Sequence, residues 1–229
     1  ERATAEDIAS LWYQLDVSAI YHDCALEGLV LSPEELDAAF NPRAIADASH
    51  LSLYNALRTH RRGYDLMRRL AATPPSEFTL DVFKQFHQAF ISDADEGRGG
   101  RLRTDMPLHR TYFHEICEPD KIAANLRKLL TWANDPDEAA QLHPVEWAAR
   151  FHQMFMHIYP YSDASGKIGR AIMNTSLVRN GYLPAIIHAT ERQRYFEALR
   201  GKQQQLTTLV AESALASLDA ASRFLKRAV

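Results

Sequence analysis

Cysteine is almost absent. Cys24 and Cys117 are the whole complement of a 229-residue chain, and they lie far apart in no metal-binding spacing. Reduced thiols in the cytoplasm are therefore expected, with a secreted or translocated effector left open. Also lacking is an excess of positive charge: 26 Lys and Arg stand against 29 Asp and Glu, a net charge of −3. That excludes a general nucleic-acid binder, which carries a basic face. No apolar run approaches the roughly 20 residues that span a bilayer, so no membrane partner is expected. There is no low-complexity tract and no internal repeat. The chain opens at Glu1 with no methionine and no signal-like apolar segment. It is expected to be a trimmed piece whose targeting information lies elsewhere.

What is present is ordinary for a soluble globular protein, with 46% hydrophobic and 24% charged residues. The length suits one large domain. Most of the chain reads as helix. Ile8, Leu11, Leu15 and Ile20 recur at helical spacing, and Gly28 ends that helix. "LSPEEL" is a start signal, with Ser32 at the N-cap, Pro33 at N1 and Glu35 three residues on. A long helix is expected from about Ala44 to Ala71, with Leu53, Leu57, Leu66 and Leu70 on one side. A further helix, Thr79 to Phe90, presents Phe83, Phe86 and Phe90. Helices resume at Asp120–Ala133, Pro144–Ile158, Gly166–Asn180, Arg192–Leu199 and Gln203–Arg227. Between them, residues 93–118 combine glycines, a proline and the alternating "HRTYFHEI", which predicts a loop and a short β-hairpin. The expected fold class is all-α with one hairpin inserted.

"HIYPYSDASGKIGR", residues 157–170, is where chemistry is expected. The helix before it presents Val145, Ala148, His152, Phe155 and Ile158 at core spacing, which brings Tyr159 to the domain centre. The small-residue turn Asp163-Ala164-Ser165-Gly166 then feeds a second helix. Unpaired N–H groups and the positive end of the helix dipole make such a start an anion site. Lys167 and Arg170, three apart, share a helix face and can reach the same phosphates. Asp163 could hold a divalent metal bridging phosphate oxygens, or simply cap the helix.

This segment resembles the active-site motif of the Fic (Fido-fold) family, H-x-F-x-[DE]-[AG]-N-G-R-x-x-R. "AARFHQMFMHIYPY" and "NGYLPAIIHATERQRYFEAL" resemble the flanking segments, and "CALEG" followed by "LSPEEL" resembles the N-terminal inhibitory helix region of many members. The resemblance covers most of residues 20–200. It implies one Fido domain over 1–229, with an inhibitory-like region at 1–40, a flap at 93–118, a helix-motif-helix core at 144–180 and a C-terminal helix at 203–229. It also implies transfer of AMP from ATP to a protein hydroxyl, with Mg2+ as cofactor and an unidentified protein as target or partner. Carried over by position, Asp163 is the metal-binding acid. Ala164, Ser165, Gly166, Lys167, Gly169 and Arg170 form the nucleotide and phosphate group, and Glu27 is the inhibitory glutamate that pairs with Arg170.

Several positions depart from that pattern. Tyr159 stands in the place of the catalytic histidine, Ser165 replaces asparagine, and Lys167 replaces the first arginine. Tyr161 replaces phenylalanine, and Asp23 replaces the serine or threonine four residues before Glu27. A phenol titrates near 10 where imidazole titrates near 6.5, so about one Tyr159 in a thousand would be ionised at neutral pH. Losing a positioned base costs about 10²- to 10⁴-fold in rate. Tyr159 is then either an aromatic filling the vacated pocket or a non-standard base. Among substitutes, His157 is expected to face away and His152 lies too far back, while His109 and His114 in the flap are better placed. A weak or inactive enzyme that acts by binding is expected, with an active nucleotidyl- or phosphotransferase as the alternative.

Overall fold

The computed structural model describes residues 3–40, 51–73, 77–91, 97–107 and 114–228. Regular structure in these residues is entirely helical. The helices are α1 (Ala5–Leu26), α2 (Pro33–Phe40), α3 (Leu51–Ala72), α4 (Leu80–Phe90), α5 (Ile122–Ala133), α6 (Pro136–Gln141), α7 (Pro144–Ile158), α8 (Ser165–Arg179), α9 (Arg192–Arg200) and α10 (Gln203–Ala228). Single 3₁₀ turns at Pro119–Lys121 and Ala189–Glu191 lead into α5 and α9.

Local chemistry sets most of these boundaries. Thr4 and Asp7 form a reciprocal capping box at the start of α1, and Ser32 and Glu35 form a second at α2. The Thr79 hydroxyl accepts the Val82 N–H at the start of α4. Gly28, at φ +93°, turns the chain after α1 in the left-handed region that glycine tolerates. One helix escaped the periodicity. α6 spans six residues, too few for a repeat to show, and it is started by Pro136 at N1 and by Asp135, whose carboxylate accepts the N–H groups of Asp137 and Glu138.

α8 is the central element. Nearly every residue from Ser165 to Leu177 is buried, so it is enclosed on all sides. α7 packs along it, with α3 and α4 against its other faces. α10 and α5 cover α7, and α1 lies across α3 and α10. Phe83, Phe86, Phe151 and Phe155 are fully buried at the junction of α4 and α7. Each contributes about 1.5–3 kcal/mol of hydrophobic stabilisation. Leu11, Leu15 and Ile20 face the core as the spacing predicts, but Ile8 is 40% exposed. α8 can be buried despite its polar residues because their bonds are made inside. Thr175 donates to the Ala171 carbonyl at 2.8 Å, and Asn174 accepts the Ala185 N–H at 2.8 Å.

Two expectations fall elsewhere. Residues 44–50 of the long helix predicted from Ala44 lie outside the described residues, and α3 is described from Leu51. Residues 109–113 of the alternating stretch of the predicted hairpin, including His109, also lie outside them, while residues 97–107 and 114–118 contain no strand.

Candidate active site

α7 ends abruptly. Tyr159 adopts the left-handed conformation, φ 45° and ψ 64°, and its N–H closes the last turn on the Phe155 carbonyl at 2.8 Å. Pro160 follows, which has no N–H to continue a helix. Ala164, at φ 59°, is the other non-glycine residue with positive φ among those described. The two strained residues bracket the turn 160–164, and strain of this kind costs of order 1–3 kcal/mol and clusters at functional sites.

The turn is held from within and from outside. The Ser165 hydroxyl accepts the Tyr161 N–H and donates to the Tyr161 carbonyl, both at 2.9 Å. From outside, the buried Arg103 gathers carbonyls. Its Nε donates to Tyr159 at 2.7 Å and its Nη1 to Asp105 at 2.8 Å. Nη2 donates to Ile158 at 3.3 Å and also to Cys117, while the Arg103 N–H donates to Pro160 at 2.9 Å. A guanidinium at the C-terminal end of α7 also complements its dipole.

α8 then begins with no side-chain cap, since its N-cap is Ala164. The N–H groups of its first turn, at Ser165, Gly166 and Lys167, have no intrahelical acceptor by the geometry of a helix start. A carboxylate stands beside Gly166: a Cβ placed there would lie 3.0 Å from Glu27 Oε1 and 3.1 Å from Arg170 Nη1. Glu27 Oε1 also accepts from Arg170 Nη2 at 3.3 Å.

Arg170 is 3% exposed and its principal partner is Asp23. Arg170 Nε donates to Asp23 Oδ1 at 2.6 Å, and Nη1 lies 3.5 Å from the Tyr195 hydroxyl. Asp23 Oδ2 takes the Tyr64 hydroxyl at 3.0 Å and His60 Nε2 at 3.2 Å. Burial pushes the Asp23 carboxyl up, but the Arg170 charge and the bonds from His60 outweigh it and hold it down to about 2. Burial, with Lys167 nearby, keeps His60 below its usual range. The network runs on through Tyr195 to His152 Nε2 at 2.9 Å, and burial beside Arg170 takes His152 down to about 3.

The site residues inferred from the sequence therefore divide. Glu27, Gly166 and Arg170 converge. Lys167, partly exposed on the first turn, is close enough for its charge to act on Cys24 and His60. Asp163 does not cap α8. Its exposed carboxylate pairs with Arg98. The Ser165 side chain is fully buried and committed to Tyr161, so only its N–H is left for an anion. Gly169 is a helix contact: a Cβ there would meet His152 Nδ1 at 3.0 Å and Phe155 Cδ1 at 3.1 Å. Tyr159 is 2% exposed, its ring 6.0 Å from that of His114. His114 is itself buried, with Nε2 2.9 Å from the Met156 carbonyl, and His157 is bonded to the Gln153 carbonyl. Tyr161 stacks on His87 at 4.0 Å. Sequence reasoning missed Arg103, His60, Tyr64 and Tyr195. Asp23 was singled out by its place four residues before Glu27, but none of its partners was inferred.

Residues 77–177 match the model of the Fic/DOC family. That stretch is the Fic/DOC family domain. A protein adenylyltransferase Fic from Drosophila virilis is 28% identical over 186 residues, covering 79% of this chain and 36% of that protein. One from Aedes aegypti is 26% identical, with 80% and 36% covered. The chain thus spans about a third of the length of these relatives. Among solved structures, Fic-1 from C. elegans superposes with a TM-score of 0.85 at 20% identity over all of this chain and 69% of that one. A Fic domain containing signaling protein from Bacteroides thetaiotaomicron gives 0.81 at 17% identity, over 99% and 92%. These likenesses establish the all-α Fic fold. No described helix of this Fic/DOC domain is long and apolar enough to cross a membrane.

Proposed function

We propose that this domain binds the phosphates of ATP at the start of α8, and that it transfers AMP to a protein hydroxyl weakly or not at all, acting through its nucleotide and a protein partner. The observation that carries this reading is the Glu27 carboxylate standing against Gly166 at an uncapped helix start. An anion already occupies the place a phosphate would take. The adenylyltransferase relatives support ATP as the nucleotide.

In this reading the N–H groups of Ser165, Gly166 and Lys167 meet the phosphate oxygens, and the Lys167 ammonium adds a point charge without an arginine's fork. Among the described residues no three acidic, histidine or cysteine side chains gather into a metal cage. Asp163 nonetheless fits Mg2+, an ion that takes one or two carboxylates and completes its shell with water and phosphate oxygens. When bound, the ion would neutralise charge on the phosphates. Asp163 must exchange Arg98 for it. The base position holds a phenol buried to 2% exposure, where the family places an imidazole. That substitution removes the proton acceptor suited to neutral pH.

Titration calorimetry and label transfer test this together. Mg-ATP should bind the Glu27→Gly chain with a Kd below about 100 μM, roughly −5.5 kcal/mol, and the native chain more weakly. Label from ATP should appear on protein with Glu27→Gly/Tyr159→His and stay at least about 100-fold lower with Glu27→Gly alone. Equal labelling by both would establish an active transferase with a non-standard base. No heat with either chain would refute nucleotide binding.

A further inference from the structure

We propose that Asp23, rather than Glu27, is the positioning residue that withholds Arg170 from the phosphate site, and that the site opens in two separable steps: Glu27 leaves Gly166, and Asp23 releases the Arg170 guanidinium. This deepens the phosphate-binding reading and rests on it.

The two carboxylates lie one turn apart, four residues along the chain, so both face the same guanidinium. Their bonds are unequal. Asp23 Oδ1 meets Arg170 Nε at 2.6 Å, while Glu27 Oε1 meets Nη2 at 3.3 Å. The Asp23 side chain is 7% exposed and that of Glu27 is 20% exposed. A dehydrated charge-assisted bond of the shorter kind is the stronger. Asp23 is also fixed from behind. Its second oxygen is bonded to His60 and Tyr64, both on α3, so withdrawing it breaks two buried bonds to α3 as well as the one to Arg170. Cys24 adds a sulfur contact to His60 Nδ1 at 3.6 Å.

Glu27 is built differently. It is the C-cap of α1, and Gly28 follows at φ +93° with nothing near its Cβ position. A rotation confined to Glu27 clears Gly166 and leaves α1 in place. The helix start is then exposed while Arg170 stays docked, and an entering phosphate meets only N–H groups and Lys167. Release of Asp23 adds a second cation, one with a planar fork suited to phosphate.

Two measurements test this. The first follows solvent exchange of the Arg170 Nε–H by ¹⁵N NMR, assigned with Arg170→Lys. Slow exchange should persist in Glu27→Gly. Exchange as fast as that of an exposed arginine in Glu27→Gly would overturn the proposal, and this arm needs no substitution at Asp23. The second is a mutant cycle with inorganic pyrophosphate. In the Glu27→Gly background, Arg170→Ala should change the Kd by less than about twofold. In the Glu27→Gly/Asp23→Asn background it should weaken binding about tenfold or more, the value of a hydrogen bond to a charged group. Asp23→Ser serves if Asp23→Asn does not fold. An equal effect of Arg170→Ala in both backgrounds would overturn the proposal. Absence of pyrophosphate binding throughout would refute the phosphate reading instead, and the Nε–H exchange would still decide the role of Asp23.

Discussion

Arg103→Ala should be among the most damaging single changes in this domain, although Arg103 is no part of the motif. Its guanidinium is 3% exposed and donates to the carbonyls of Asp105, Cys117, Ile158 and Tyr159. A hydrogen bond to a charged group contributes about 1.5–3 kcal/mol, and a buried acceptor left without its donor costs about 1–3 kcal/mol. The four bonds share one side chain and do not add independently. Water entering the vacated space should satisfy the carbonyls nearest the surface, which leaves about two orphans and a net loss of about 3–5 kcal/mol. Against a total stability of about 5–15 kcal/mol that is severe. For a domain of this size it corresponds to a Tm fall of about 6–20 °C. Urea unfolding followed by circular dichroism would measure it, with the m-value checked so that a change in midpoint can be read as stability. Arg103→Lys should recover less than half, because an ammonium cannot span four acceptors. A loss below about 1 kcal/mol in Arg103→Ala would mean that the turn 160–164 holds its shape without the arginine, and the reasoning would fail.

Acid should also destabilise the domain well above the carboxylate range. Burial, with Arg170 nearby, holds His152 at about 3, and burial holds His87 at about 4. An unfolded histidine near 6.5 takes its proton first, so stability is lost as pH falls below about 6.5, by about 2 kcal/mol at pH 5 from the fully buried His152, with His87 adding to the loss in the same direction. Asp23, held at about 2, acts in a lower window, with its contribution lost as pH falls from about 4 to 2. Equal urea midpoints at pH 7 and pH 5 would contradict the histidine assignment. Gly166→Ala places a methyl 3.0 Å from Glu27 Oε1 and 3.1 Å from Arg170 Nη1. Arg170 is held by Asp23, so Glu27 should give way. The fold should change by less than about 1 kcal/mol, since alanine is the better helix former, while Mg-ATP binding measured by calorimetry should drop because the methyl fills the phosphate place. Undiminished binding in Gly166→Ala would put the phosphates elsewhere.

Much of this protein was legible in one dimension because its causes are local. Helix starts depend on side chains within three residues, so the Ser32 and Glu35 box could be read directly from spacing. The 3.6-residue period put Val145, Ala148, His152, Phe155 and Ile158 in the core, and all five are buried. The turn into α8 showed itself by its small residues.

The partners of the charges depended on packing between helices far apart in the sequence. Asp23 and Arg170 are 147 residues apart, and Arg103 and Tyr159 are 56 apart. No spacing rule reaches across such separations, because burial leaves a charged group only the partners that packing brings to it. Glu27 was the partner expected for Arg170, yet the shorter and drier bond went to Asp23, which is backed by His60 and Tyr64 on α3. Ser165 and Gly169 were expected in the phosphate group as well, and packing makes one a brace for the turn and the other a seam between α7 and α8. The sequence by itself determined the helices and the family. The tertiary structure decided which charges meet, because electrostatic strength in a protein depends on distance and on the exclusion of water, and both are set only when the helices pack.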